Sequence, residues 1–341
     1  MLQSLLSTKL NVPPARRLLV SRSRLIERLN RGLDGKLTLI SAPAGFGKTT
    51  LLAEWAAQDW AAQDWAVQPL VGQNPVLLAW VSLDEDDNDP ERFVSYLLSA
   101  VETIIPGLGL GQLGLAMRQS AQPLPLKSLL TTLVNDIAED GRKIVIVLDD
   151  YHLIRADQVH DIIAFLIGYL PQNTHLIVAS REDLPLHMAR LRARGQLNEI
   201  GADELRFTAG EASAFLGNVM GLNLSAEDVM ALDERTEGWI AGLQLAALSL
   251  QNHDQPGQFI AGVSGAHRYI LDYLAEEVLA GQPEEVQLFL LQTSILRRLN
   301  GALCAAVTGQ QQAVKMLNEL ETRNLFVFAL DEQRMWYRYH H

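Results

Sequence analysis

Apolar residues fall along the first 180 positions in short, nearly continuous runs rather than in strict alternation. Leu37-Thr38-Leu39-Ile40, Val76-Leu77-Leu78-Ala79-Trp80-Val81-Ser82-Leu83, Ile144-Val145-Ile146-Val147-Leu148 and His175-Leu176-Ile177-Val178-Ala179-Ser180 are the informative ones. Their length, and apolar residues at both odd and even positions, predict strands buried on both faces. Between them the period changes. Leu25, Ile26 and Leu29 share one helical face, Leu51 to Ala56 open a second helix, and Asp89-Pro90 reads as an N-cap followed by proline at the first helical position. Strands alternating with helices predict a parallel sheet covered on both faces, with ligands at the carboxyl ends of the strands. Residues 1–18, with Pro13, Pro14, Arg16 and Arg17, are expected to be extended, and the Gly-, Pro- and Gln-rich stretch 106–125 to be a surface excursion.

Beyond residue 205 the pattern becomes helical. Thr208-Ala209-Gly210-Glu211 is a capping box, and Ser225-Ala226-Glu227-Asp228 is a similar start. Gly238 to Leu250 is apolar nearly all round, which predicts a buried helix. Asn252 to Gly265 reads as a polar linker. Pro283-Glu284-Glu285 starts a helix with proline in its first turn, and Gly301–Val307 and Gln311–Arg323 give two more. Leu325–Leu330 and Met335–Tyr339 then pair as a hairpin around Asp331-Glu332-Gln333-Arg334. Three helices and a hairpin describe a winged helix.

Two local features invite function and lose it on inspection. Trp55-Ala56-Ala57-Gln58-Asp59 is repeated from Trp60 and begun again at Trp65. A five-residue step advances about 140° around a helix, so the three indoles cannot share a face. An exposed aromatic surface is one reading, and a duplication that lengthens the helix is the favoured one. Asp84-Glu85-Asp86-Asp87-Asn88-Asp89 resembles a calcium loop, but Asp89 and Ser95 stand where glycine and the closing carboxylate belong.

Composition narrows the class. The 341 residues suggest two or three domains, and 48% hydrophobic with 20% charged residues suits a sizeable core. A formal net charge of −12 argues against non-specific nucleic-acid binding. Cys304 is the single cysteine, so no intrachain disulfide forms and a reducing, cytoplasmic compartment is expected. Lys9 and the paired prolines interrupt the N-terminus, so no signal peptide is read there, and no apolar run approaches a membrane span.

The chemistry gathers where strands end. Ala42-Pro43-Ala44-Gly45-Phe46-Gly47-Lys48-Thr49-Thr50 lies between the first strand and its helix, the context a phosphate-binding loop requires. Glycines let successive backbone N–H groups turn inward as an anion nest at a helix N-terminus. Lys48 supplies a charge for the β- and γ-phosphates, and the Thr49 hydroxyl a ligand for Mg²⁺. Ala42 stands where the usual pattern has its first glycine. Asp149 and Asp150 end the third strand about 100 residues after Lys48. Asp149 is expected to serve the metal and Asp150 to orient the attacking water. Arg181 ends the fourth strand, placed either to touch the γ-phosphate or to pair with Glu182 or Asp183. His152 reads as a loop histidine.

Together these residues resemble the STAND class of signal-transduction ATPases. The resemblance is strongest to the N-terminal part of the large ATP-binding LuxR-type activators, of the maltose-regulon kind. Its carriers are Ala42–Thr50, Trp80-Val81-Ser82-Leu83-Asp84-Glu85, Leu148-Asp149-Asp150-Tyr151-His152-Leu153-Ile154, Ser180-Arg181-Glu182-Asp183-Leu184-Pro185, Thr236-Glu237-Gly238-Trp239-Ile240-Ala241-Gly242-Leu243 and Tyr337-Arg338-Tyr339-His340-His341. It implies an α/β fold, a P-loop NTPase parallel sheet with helices on both faces, followed by a helical lid and a winged helix. The expected domains are residues 1–205, 206–255 and 256–341. ATP or ADP with Mg²⁺ is the implied cofactor. Val20, Ala44, Gly45, Phe46, Gly47, Lys48, Thr49, Thr50, Gly238 and His340 are the expected nucleotide contacts, Thr49 and Asp149 the metal ligands, and Asp150 and Arg181 the catalytic pair. The class uses Gly-x-Pro in the lid, where this chain has Gly238-Trp239-Ile240. Relatives of this kind continue into a repeat sensor and a DNA-binding helix-turn-helix, so the chain reads as the switch portion of a longer regulator that would meet inducer and DNA, and self-associate, through those further parts.

Two other classes stand beside this one. A metabolic phosphoryl transferase needs an acceptor pocket, and no sequence feature supplies one. DNA binding through the winged helix needs a basic face, yet residues 267–341 hold seven Lys/Arg against nine Asp/Glu. The expectation is that this segment does not bind DNA directly.

Overall fold

The computed structural model describes residues 5–14, 18–60, 76–106, 126–186, 188–250, 268–331 and 333–339. The apolar runs form a parallel sheet of five strands: β1 (Leu37–Ser41), β2 (Val76–Ser82), β3 (Lys143–Asp149), β4 (Thr174–Ser180) and β5 (Leu197–Ile200), in the order β2-β3-β4-β1-β5. β1 lies between β4 and β5, and β4 separates it from β3. The strand that leads into the glycine loop and the strand that ends in the two aspartates are therefore one strand apart. In register, Ser41 lies beside Ser180 and Ser82 beside Asp149, so the candidate chemical groups share one edge.

Helices cover both faces, as near-continuous apolar strands require. α3 (Pro90–Ile104), α4 (Leu126–Asp140) and α5 (Asp157–Tyr169) pack on the face presented by Leu39, Ile146 and Val178. α1 (Ser23–Gly32) and α2 (Lys48–Trp60) pack on the face presented by Ile40, Val147 and Ile177. α3 begins as its sequence predicts, with Asp89 accepting from the Glu91 N–H at 3.0 Å and Pro90 at the start.

α6 (Ala189–Ala193) precedes β5, and a third apolar cluster then forms where α7 (Ala209–Ala214) and its continuation to Val219, α8 (Ala226–Thr236) and α9 (Ile240–Leu250) pack Phe215, Leu232, Leu243 and Ala247 together. The winged helix follows: α10 (Arg268–Tyr273, continued as a wider turn to Leu279), α11 (Glu284–Thr293), α12 (Gly301–Thr308), α13 (Ala313–Thr322) and an antiparallel hairpin of β6 (Val327–Ala329) and β7 (Tyr337–Tyr339). An isolated bridge from Leu299 to Tyr337 ties the hairpin to the helices. Leu317, Leu320, Phe326 and Val327 join the same apolar cluster as Phe46, Leu51 and Trp55, so the winged helix folds back onto the nucleotide-loop face.

Several expectations are corrected. Residues Ser7–Leu10 form a 3₁₀ turn instead of extended chain. Lys9 is the cause: its amine is buried against the acidic turn, bonded to Asp87 and 3.0 Å from Asp84, with Arg92 3.2 Å from Asp87 on the other side. That turn is thus filled by cationic side chains, not metal. β5 gave no usable signal, since its four residues, Leu, Asn, Glu and Ile, neither alternate nor form an apolar run, and they take strand geometry by pairing with β1. Pro283 caps α11 from outside, with φ −54° and ψ 146°, rather than sitting in its first turn. Trp55 is core, donating its indole N–H to Asn30 at 2.7 Å, which removes it from any exposed aromatic surface. The side chains of Trp60 and Trp65, the 107–125 stretch and the 251–267 linker lie outside the described residues.

Candidate functional site

The loop between β1 and α2 is held at its root by the Ala42 N–H, which donates to Ser180 O at 3.3 Å. Ala42 is fully buried and is not among the residues with positive φ, so alanine fits where glycine is usual. Gly45 has φ +78° and Gly47 φ +74°, the backbone curl an anion nest uses. Phe46 between them is buried against Phe326 of the winged helix, ring centroids 6.5 Å apart, so only its backbone faces the loop's concavity.

Lys48 begins α2 and bends inward. Its amine donates to Ala42 O at 2.7 Å and Pro43 O at 2.9 Å. Burial, and secondarily the nearby Arg181, bring its pKa down to about 8, with Asp150 and Asp149 opposing. An arriving polyphosphate would reverse that penalty. The Thr49 hydroxyl donates to Asp149, whose carboxyl is raised to about 6 by burial first and then by Asp150. Asp149 also accepts from the Asp150 N–H at 3.0 Å. A serine/threonine hydroxyl beside a carboxylate at the mouth of the nest is an all-oxygen set of the kind Mg²⁺ takes, with phosphate and water completing it. The residues fit that ion.

Asp150 sits at φ +58° and ψ +36°, a left-handed residue that ends the extended run of β3. Its pKa is raised by burial, with Arg181 and Lys48 pulling it back. His152 lies 3.9 Å from Asp150. Burial and the surrounding cations hold it neutral, with a pKa near 3, so it is more enclosed than a loop histidine. Arg181 takes neither of its expected partners. Glu182 is bound by Arg155 at 2.9 Å, and Asp183 accepts from Ser41 at 3.1 Å. Arg181 instead reaches the winged-helix module, donating to Glu277 O at 3.0 Å and to its carboxylate at 3.2 Å.

The lid turn closes over the loop. Trp239 donates its indole N–H to Ala44 O at 3.0 Å, and the Ala241 N–H donates to Gly45 O at 3.1 Å. A Cβ on Gly45 would fall 2.5 Å from the Ala241 Cβ, so glycine there is fixed by the lid as well as by the loop. Ile240, where the class has proline, points at Gly47, 3.0 Å from where a Cβ would be. Trp239 also meets Phe326 and Tyr273 edge-on, at 5.2 and 5.6 Å.

Beside the loop is a cavity of about 260 Å³ lined by Val20, Leu51, Phe207, Phe215, Val219 and Ile240, with Thr50 and Gly47 at its loop end. Its walls suit an aromatic base. Val20 and Thr50 thus stand with the loop, Gly238 precedes the turn that covers it, and His340 lies outside the described residues. Sequence reasoning missed Arg22, which is 4% exposed, donates its guanidinium to Leu205 O and its backbone N–H to the Glu54 carboxylate at 3.3 Å. Burial lowers its pKa to about 10. Its only sequence signal is a cation one step after Val20-Ser21. Tyr273, Glu277 and Phe326 left no signal, because they arrive from a separate module.

Residues 18–179 match the family described as AAA ATPase domain, and residues 275–341 match the MalT winged helix domain. The chain thus joins a P-loop domain of the AAA ATPase family to a winged helix of the MalT kind. It is 37% identical over 340 residues to the HTH-type transcriptional regulator MalT of Klebsiella pneumoniae (strain 342), covering 98% of this chain and 36% of that protein. MalT of Serratia proteamaculans (strain 568) is 36% identical over 340 residues, with 98% and 35% covered. The chain spans about a third of the length of these curated relatives. In fold alone it resembles the Walker-type ATPase of Pyrococcus abyssi, with TM-score 0.57 at 14% identity over 96% of both chains.

Proposed function

We propose that this chain binds ATP or ADP with Mg²⁺ and acts as the nucleotide-dependent switch of a transcriptional regulator, hydrolysing ATP slowly between states. The observation that carries this is the seating of two later modules, lid and winged helix, on the phosphate loop itself. A switch lets its nucleotide decide where mobile modules rest, and here two such modules meet at the loop.

In this function the backbone N–H groups of Gly45 to Lys48 receive the phosphates. Lys48 exchanges the Ala42 and Pro43 carbonyls for phosphate oxygen. Thr49 and Asp149 hold Mg²⁺, which when bound neutralises charge across the phosphate oxygens. Asp150, with its proton affinity raised by burial, accepts a proton from the attacking water. Arg181 can touch the γ-phosphate only by giving up Glu277, so the cation is shared between chemistry and closure. The base lies in the cavity by Val20, and the lid turn after Gly238 excludes solvent.

The proposed surroundings follow the same line. No described helix is long and apolar enough to cross a membrane. We place the protein in the cytoplasm, with inducer recognition, DNA contact and any nucleotide-driven self-association assigned to parts beyond these 341 residues. Isothermal titration with Mg·ADP is the test. Lys48→Ala is expected to weaken binding by about tenfold to hundredfold, the loss of a charge-assisted contact. Equal affinity in parent and variant would remove the site assignment.

A further inference from the structure

Glu237 is an unusual place for a carboxylate. It ends α8 with φ +48°, and Gly238 follows at φ +68°, so two consecutive left-handed residues reverse the chain. Only the second is glycine, and a Cβ there would fall 2.7 Å from Phe207 O. A glutamate in the first position carries a backbone cost that asparagine or glycine would lessen. Its side chain offsets that cost. Arg338 of β7 donates both terminal nitrogens to the carboxylate, each at 2.6 Å. Arg206 donates to it at 2.8 Å and to the Glu237 carbonyl at 3.0 Å. The carboxylate is 10% exposed and the two guanidinium groups 20% and 27%, which places the pair out of reach of most salt screening. Both cations also stack on one ring, Phe328 of β6, at 5.1 and 5.8 Å. Asp203, 88% exposed, touches Arg206 at 3.3 Å and is the remaining acid of the group.

What this cluster holds is the turn that covers the phosphate loop. The residues after Glu237 are Gly238, Trp239, Ile240 and Ala241, and three of them reach the loop: Trp239 to Ala44 O, Ala241 to Gly45 O, Ile240 toward Gly47. The turn therefore has two anchors, the loop on one side and the Glu237 carboxylate on the other. One arm of the second anchor, Arg338, belongs to the winged helix.

We propose that Glu237 is a positioning residue of the nucleotide site: clamped between Arg206 and Arg338, it holds the Gly238–Ala241 turn on the phosphate loop and makes nucleotide release wait on the wing. This rests on nucleotide binding at Lys48. The wing then controls residence time without touching the ligand. Breaking the clamp frees the turn to lift, so the dissociation rate rises.

The test is stopped-flow release of mant-ADP from the intact chain in Mg²⁺. Glu237→Gln and Arg338→Ala are each expected to speed release on the order of tenfold. The double variant should release no faster than Glu237→Gln alone, because that variant already loses the Arg338 pair together with the Arg206 contact. Arg338→Lys, keeping the charge with a single donor head, should fall between parent and Arg338→Ala, and it serves if the alanine variant does not fold. Leu133→Ala, a core truncation on α4, supplies the control: it should lower the unfolding temperature and leave release unchanged. Parent-like release in Glu237→Gln and Arg338→Lys overturns the positioning role, as does equal acceleration in Leu133→Ala. If the parent binds mant-ADP and Lys48→Ala does not, such a result defeats this inference alone. If the parent binds no mant-ADP, the nucleotide site and the inference fall together.

Discussion

Two carboxylates at the end of β3, Asp149 and Asp150, are pushed by burial toward their protonated forms. Asp149 is buried, and its pKa of about 6 stands above that of an exposed aspartate. The native state therefore keeps a proton that the unfolded chain has released between about pH 4 and pH 6. Stability falls as pH rises through that window, and above it the full penalty remains, about 3 kcal/mol for a shift of this size. Asp149→Asn should raise the thermal midpoint of the nucleotide-free chain at pH 7, raise it less at pH 5, and weaken Mg·ADP binding. A calorimetric scan at both pH values checks the first part; an unchanged midpoint at pH 7 contradicts it. Asp150→Asn separates the second carboxylate. In the proposed reading it serves only the attacking water, so Mg·ATP affinity should persist while turnover drops about a hundredfold or more. Loss of binding in Asp150→Asn with retention in Asp149→Asn would reverse the two assignments. Lys48, Thr49 and the two aspartates were legible in the sequence because a strand, a glycine turn and a helix fix their geometry locally. Arg181 was legible as a tip residue, but its partner Glu277 was not, since the two are 96 positions apart.

At the level of elements, the opposite edge of the sheet carries its own titratable group. His175 on β4 is 1% exposed, its Nε2 2.8 Å from the Thr38 hydroxyl on β1 and its Nδ1 3.0 Å from Gly35 O. Asn198 of β5 completes the network through Thr38 at 3.2 Å. With the Gly35 carbonyl accepting from Nδ1–H, Nε2 is free to accept the Thr38 hydroxyl proton, an arrangement that protonation of Nε2 would break. Burial lowers its pKa to about 4. Below about pH 6.5 the unfolded chain binds a proton that the native chain refuses, so stability is lost as pH falls toward 4, by up to about 3 kcal/mol. Urea midpoints at pH 7 and pH 5 should diverge more for the parent than for His175→Gln, and parallel behaviour would show that another group governs acid sensitivity. The same network explains why β5 was invisible beforehand. Its polar residues read as loop, and only their bonds to β1 and α1 make them strand.

Over the whole molecule, the winged helix is spent on closure. Its apolar face packs with Phe46 and Trp55, Arg338 is taken by Glu237, and Arg323 is held by Glu319 at 2.8 Å. With seven Lys/Arg against nine Asp/Glu in residues 267–341, we expect this module not to bind DNA directly. A short DNA duplex should show no mobility shift at about 150 mM salt; a clear shift abolished by neutralising Arg297 and Arg298 would make the wing a reader. By itself the sequence determined the parallel α/β sheet, the phosphate loop with its paired acids, the capped lid helices and the three-helix-plus-hairpin module. These rest on periodicity, turn chemistry and spacing within single elements, which act over a few residues and leave their mark in order along the chain. Tertiary structure alone decided that the lid turn lies on Gly45 and Gly47, that Arg181 is shared with Glu277, and that Glu237 joins the wing to the loop. Those contacts link residues 96 to 196 positions apart through the shape of packed modules, and no local pattern encodes which surfaces will meet.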